Sequence, residues 1–89
     1  MRERERAIPC LVEGRPMGGK SLEVEVRPDI TILWHGDTPL AARLGASMLV
    51  RRGGDAQSRA AIETAARAEG LTLHTMGEQR LWTLLGVPS

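Results

Sequence analysis

The sequence predicts an α+β domain: a small antiparallel sheet, with elements in the order β-β-β-α-α-β-β and two helices packed on one face. Three observations carry this reading. Residues 21–26, SLEVEV, alternate apolar and acidic side chains with the period of a strand. Leu40, Leu44 and Met48 recur every four residues, the spacing of one helical face. Gly53-Gly54 and Gly70 stand where two helical stretches would end.

Taken in order, Met1–Arg6 carries the alternating charges RERER and reads as a solvated, frayed end of a single domain spanning 1–89. Residues 7–13, AIPCLVE, read as a strand with Ile8, Cys10 and Val12 on one face, Pro9 marking a strand start or an edge. Residues 14–20 hold three glycines and a proline, which is turn chemistry. Strand 21–26 follows, then a turn at Arg27-Pro28-Asp29, then a third strand, ITILW, at 30–34. Asp37 or Thr38 caps a helix over 39–52, with Pro39 at its first position. Gly45, Ala46 and Ser47 make that helix thin. A second helix starts at Asp55 or Ser58 and ends at Gly70; Ala61, Ile62 and Ala65 share a face, and Arg59, Glu63 and Arg67 run along another at i, i+4 spacing. Residues 71–76, LTLHTM, and 80–85, RLWTLL, read as strands about a turn at Gly77-Glu78, and Gly86–Ser89 as a tail.

Composition narrows the function. At 89 residues the core is small, and a chain of this size buries only about 60–65% of its unfolded surface. Phe and Tyr are absent, so the core is aliphatic, with Trp34 and Trp82 its only large rings. A net charge of +1 gives no field to steer the chain toward nucleic acid or an anionic membrane. The single cysteine, Cys10, allows no intrachain disulfide and reads as an inert thiol on a strand. No apolar run is long enough for a signal peptide or a membrane span, so a cytoplasmic location is expected.

One catalytic motif is present in letters. GRPMGGKS at 14–21 fits the phosphate-loop pattern G-x-x-x-x-G-K-[ST] through Gly14, Gly19, Lys20 and Ser21. That loop works by opening a helix whose free N–H groups hold phosphate. Here SLEVEV follows, with strand periodicity, and Pro16 removes one donor. The stretch is therefore read as a hairpin loop, and no cofactor is expected. His35 and Asp37 resemble a base with its orienting acid, but a helix cap accounts for Asp37, Thr38 and Pro39 together. A zinc site built on His35 and His74 lacks two further ligands at any recognisable spacing, so no metal is expected.

The stretch SRAAIETAARAEGLTLHTMGEQRLWTL resembles a family of small single-stranded nucleic-acid-binding domains that carry Arg-x-x-x-His on a helix before a hairpin. Arg59 falls on the arginine. Glu63 stands at the histidine position and puts negative charge where phosphate would approach, so the resemblance is not adopted.

With no catalytic constellation left, the sequence is read as a non-enzymatic protein-interaction module: an adaptor, an inhibitor or an accessory subunit of a larger complex. Arginine-mediated nucleic-acid binding or regulation is the alternative. The alanine-rich second helix and the unpaired edges of an open sheet are the surfaces expected to meet a protein partner. Arg51, Arg52 and Arg59 are the candidate partner-binding residues, a cluster at a helix end able to grip carboxylates or a phosphate backbone. The small core also leads us to expect a homodimer; no membrane partner is expected.

Overall fold

The computed structural model describes residues 2–86; Met1 and residues 87–89 of the expected tail lie outside the described residues. The fold is α+β, with three helices and one six-stranded mixed sheet. In chain order the elements are α1 (Glu3–Glu13), β1 (Met17–Gly18), β2 (Leu22–Val26), β3 (Thr31–His35), β4 (Thr38–Leu44), β5 (Ser47–Arg51), α2 (Ala56–Ala68), β6 (Thr72–Met76) and α3 (Glu78–Leu84). The strands lie side by side in sequence order, antiparallel from β1 to β5, with β6 parallel to β5 through the α2 crossover.

The α+β class stands, but the expected order and the all-antiparallel sheet do not. Residues 7–13 are helical rather than a strand, and Glu3–Arg6, expected as a frayed tail, form the first turn of α1. Ala7, Ile8, Leu11 and Val12 are its buried residues, a spacing of one, four and five that only a helix brings to one side. Pro9 sits inside α1 on its exposed side, where the Glu5 carbonyl that loses its donor faces water. Gly14 closes α1 in the left-handed conformation, and Arg43 of β4 donates to the Val12 carbonyl, supplying the cation that the last turn lacks.

The expected helix over 39–52 is instead the β4–β5 hairpin. Gly45 (φ +60°) and Ala46 form a two-residue loop between the paired Leu44 and Ser47, and Gly36 (φ +61°) with Asp37 does the same between His35 and Thr38. Glycine in the first loop position gives the backbone twist that flanking strands require. The apolar runs of β3, β4 and β5 arise because these strands are covered on both faces. One cluster, with Leu33, Ala41, Met48 and Val50, lies under α1 and α2, where Leu11, Ile62 and Ala66 meet it. The other, with Ile32, Ala42 and Leu49, lies under α3, where Leu81 and Leu85 close it. Residues 80–85, expected as a strand, thus belong to a helix whose i, i+4 leucines face the sheet. Of the two expected helices only the second forms, as α2; it shares its face of the sheet with α1, and α3 occupies the opposite face.

A bulge lies between Leu33 and Trp34 of β3: these pair with Ala41 and Pro39, leaving Leu40 as the extra residue on β4. It also accommodates Pro39, which has no N–H for a central strand. Trp34 and Trp82 are half-buried rather than core residues. Their rings meet at 5.4 Å and a tilt of 52° across the sheet–α3 boundary, and the Trp34 indole N–H donates to Glu25 at 2.9 Å. The hydrogen bond from Arg27, and then that from Trp34, hold the Glu25 carboxyl below its ordinary range.

The two apolar clusters are separated by the sheet, which gives a direct test. Ile62→Val, under α2, should cost about 0.5–1.5 kcal/mol, and Leu81→Ala, under α3, about 2–5 kcal/mol. Denaturant unfolding of the double variant should match the sum within about 0.5 kcal/mol; a larger discrepancy would mean the two layers are coupled.

Candidate functional site

The loop Gly19-Lys20-Ser21 runs from β1 to β2, and the backbone N–H groups of Lys20, Ser21 and Leu22 turn toward one point. The carboxylate of Glu3, at the first residue of α1, fills that point. Its Oε2 accepts from Lys20 N–H at 2.6 Å, and its Oε1 accepts from Ser21 N–H at 2.8 Å and from the Leu22 N–H. This is a backbone nest, a concavity of oriented amides that favours an anion. Gly19 makes it possible by its size: a Cβ there would lie 2.7 Å from the Glu3 carboxylate and 2.7 Å from the Leu22 carbonyl oxygen. Burial raises the Glu3 pKa, but the N–H donors of Leu22, Ser21 and Lys20, with Arg6 nearby, outweigh it and hold the carboxyl below its ordinary range.

A second carboxylate is held a short way off. Asp55 caps α2, accepting from Gln57 N–H at 3.2 Å, Ser58 N–H at 3.3 Å and the Ser58 hydroxyl at 2.7 Å. The Ser58 hydroxyl, then the Gln57 amide, lower its pKa. Arg4, next to Glu3 in sequence, reaches this second cap: its guanidinium lies 3.4 Å from both Asp55 and Ser58. The first turn of α1 is therefore fastened on one side by Glu3 and on the other by Arg4.

Between these fastenings lies a cleft of about 540 Å³, lined by Glu3, Lys20, Ser21, Leu22, His35, Leu40, Arg51, Gly54, Asp55 and Ser58. It sits at the carboxyl end of β5, where the glycine-rich turn 53–54 leads into α2. His35, expected beside a helix cap, ends β3 instead and faces water, and Asp37 belongs to a hairpin loop with no helix behind it. His74 lies on β6, with two strands between it and β3, so the His35–His74 pair is not assembled. No group of three or more His, Cys, Asp or Glu side chains among the described residues is placed to hold a metal. Cys10 is on α1 rather than a strand, half-buried against the α1–α2 cluster.

The arginine cluster is brought together only in part. Arg51 ends a strand rather than a helix, and its guanidinium pairs with Glu78 at 2.8 Å with the side chain 18% exposed. Its Nε is buried with no hydrogen-bond partner among the described residues. Arg51 and Arg59 line a shared small cavity beside Gly53, whereas Arg52 is exposed in the following turn and its backbone N–H donates to the Met76 carbonyl at 2.6 Å. Glu3 was not among the residues the sequence singles out. Its charge repeats in Glu5, and only the helical start of α1 tells the two apart.

No protein-family model, no curated protein and no solved structure matches this chain. Among the described residues no helix is long and apolar enough to cross a membrane.

Because its folded pKa is depressed, ionised Glu3 contributes stability that is present above the ordinary value of 4.5 and is lost as pH falls through the lowered folded value. Urea midpoints measured from neutral pH downward should show that acid loss, and Glu3→Gln should lower the neutral-pH midpoint while flattening the acid limb. An unchanged acid limb in Glu3→Gln would mean the nest contact carries no stability.

Proposed function

We propose that this chain is a non-enzymatic protein-interaction module, an adaptor, inhibitor or accessory subunit, that receives an extended segment of a partner protein along strand β6. The outer edge of β6 is the observation that carries this reading. Thr72 N–H donates to the Ala46 carbonyl at 2.8 Å, and the Met76 carbonyl accepts from Arg52. Backbone groups alternate along a strand, so residues 72, 74 and 76 turn theirs toward β5, and Leu73 and Thr75 turn theirs outward. Among the described residues no strand pairs with that outer side.

Sheet edges are normally blunted by shortness, charge, proline or a bulge, because an open edge invites another chain. The β1 edge follows that pattern, with two residues between Pro16 and Gly19. Thr72-Leu73-His74-Thr75-Met76 has five residues, no proline and no Lys, Arg, Asp or Glu. Main-chain pairing along such an edge gives affinity, and the alternate side chains give selectivity. The reading through Arg51, Arg52 and Arg59 needs the three to act together, and the Arg51–Glu78 ion pair argues against it. A second copy of this chain, the homodimer expected from the small core, is the other occupant that the β6 edge could take.

Thr75→Pro tests the proposal. It deletes an outward N–H and leaves the β5 ladder intact, the setting in which a strand tolerates proline. Capture from cells after nuclease treatment should recover a protein partner with the unsubstituted chain and lose it with Thr75→Pro, at unchanged cooperative unfolding. Light scattering reports the second occupant: a dimer abolished by the same substitution would mean the partner is another copy. Partners retained by a folded Thr75→Pro chain, or released by nuclease alone, would overturn the reading.

A further inference from the structure

We propose that the amides of Lys20, Ser21 and Leu22 form a phosphate-binding site that Glu3 occupies as a built-in competitor. None of the residues lining its cleft belongs to β6, so this site is separate from the edge described above. Four features support it. The three N–H groups already converge on two oxygens of one anion, at 2.6 and 2.8 Å for Lys20 and Ser21. Gly19 leaves the cradle no room for a side chain of its own. The nest opens on a cleft of about 540 Å³ rather than on a packed wall, and Lys20, exposed at its mouth, makes no ion pair among the described residues. Arg51, with its buried and unpartnered Nε, lines the same cleft.

The occupant is removable. Glu3 and Arg4 are only half-buried, Glu5 and Arg6 are exposed, and the packed face of α1 begins at Ala7. The first turn can unwind with the core left in place, freeing the nest and detaching Arg4 from Asp55 together. A phosphate monoester suits the vacated nest because it offers more acceptor oxygens and more negative charge than a carboxylate, and Lys20 stands beside it as a cation. The chemistry is that of the phosphate loop whose letters the segment carries, without its helix. A tethered carboxylate competes at an effective concentration of about millimolar or above, so the closed form masks the site from weak ligands.

Amide resonances of Lys20, Ser21 and Leu22 are the readout, titrated with inorganic phosphate, with O-phosphoserine and with sodium chloride at matched ionic strength. Glu3→Ala should show saturable shifts confined to that loop with phosphate, at an affinity at least about tenfold above that of the unsubstituted chain. Lys20→Ala on that background should weaken it. Glu3→Gln, which keeps the side chain's shape, serves where Glu3→Ala does not fold, and should also bind more tightly than the unsubstituted chain. Tighter O-phosphoserine would mark the monoester of a larger molecule as the source, and tighter inorganic phosphate the free ion. Shifts that chloride reproduces, shifts in Glu3→Ala that do not centre on residues 20–22, or equal affinity with and without Glu3 would overturn the proposal.

Discussion

Strands β3, β4 and β5 must bury both of their faces, and most of the architecture follows from that constraint. An 89-residue chain without Phe or Tyr has few large side chains with which to fill two apolar layers. It meets the demand with thin, paired positions. Ala41 looks toward α1 and α2, and its neighbour Ala42 toward α3, both fully buried. Small residues at the middle of the sheet let helices approach from either side, so single leucines and isoleucines reach across to close each layer. Leu81 and Leu85 suffice on one side; α1 supplies Leu11 and Val12 on the other. Helix α1 is therefore part of the core, and the charged segment Glu3–Arg6 is ordered because it continues that helix.

The same constraint explains which elements the sequence discloses. Strand β2 has one well-buried position, Val24, between acidic neighbours, so SLEVEV alternates and is legible. Helix α2 is legible from Asp55 and Gly70, because its cap and its end are local chemistry. The central strands have no polar face to alternate with. A doubly buried strand and a buried helical turn look alike in apolar pattern, and Leu40, Leu44 and Met48 happen to fall four apart across a hairpin. The information that would have separated them is in the turns: HGDT and LGAS each place glycine first of two loop residues. In α1 the misleading residue is Pro9, which costs a helix about 3 kcal/mol by its propensity but lies on the water side of this one. Packing by Ala7, Ile8, Leu11 and Val12 outweighs it.

Of the candidate site, the letters of the loop stand in the sequence, but they read there as a hairpin loop without a ligand, and the geometry is not legible. Lys20 and Ser21 stand in a pattern whose physical content is convergent backbone N–H groups, and the loop does present them. What the letters cannot specify is the element that follows. With β2 in place of a helix there is no aligned macrodipole behind the amides, and the nest is short enough for one side chain to fill. The partner of that nest is seventeen residues away from Lys20 in sequence, which no local pattern reports. Arg51, Arg52 and Arg59 were placed as a corner between two helices. Instead Arg51 ends a strand and pairs with Glu78 of α3, and Arg52 is exposed in the turn that follows.

The chain's two open features are complementary in kind. The β6 edge offers main-chain groups that no described strand pairs with, on a strand without Lys, Arg, Asp or Glu. The nest offers backbone donors that Glu3 covers, and beside it Asp55 caps α2 and pairs with Arg4. Masking matters because uncovered amides beside Lys20 would attract small anions. Using a helix-borne carboxylate as the mask links occupancy to order: while Glu3 sits in the nest, the first turn of α1 is fixed against the β1–β2 loop and against α2. An anion that replaced it would release that turn without disturbing Ala7 and the buried face beyond it. In the proposed exchange the site is coupled to the first turn of α1, which lies ahead of the buried face that begins at Ala7.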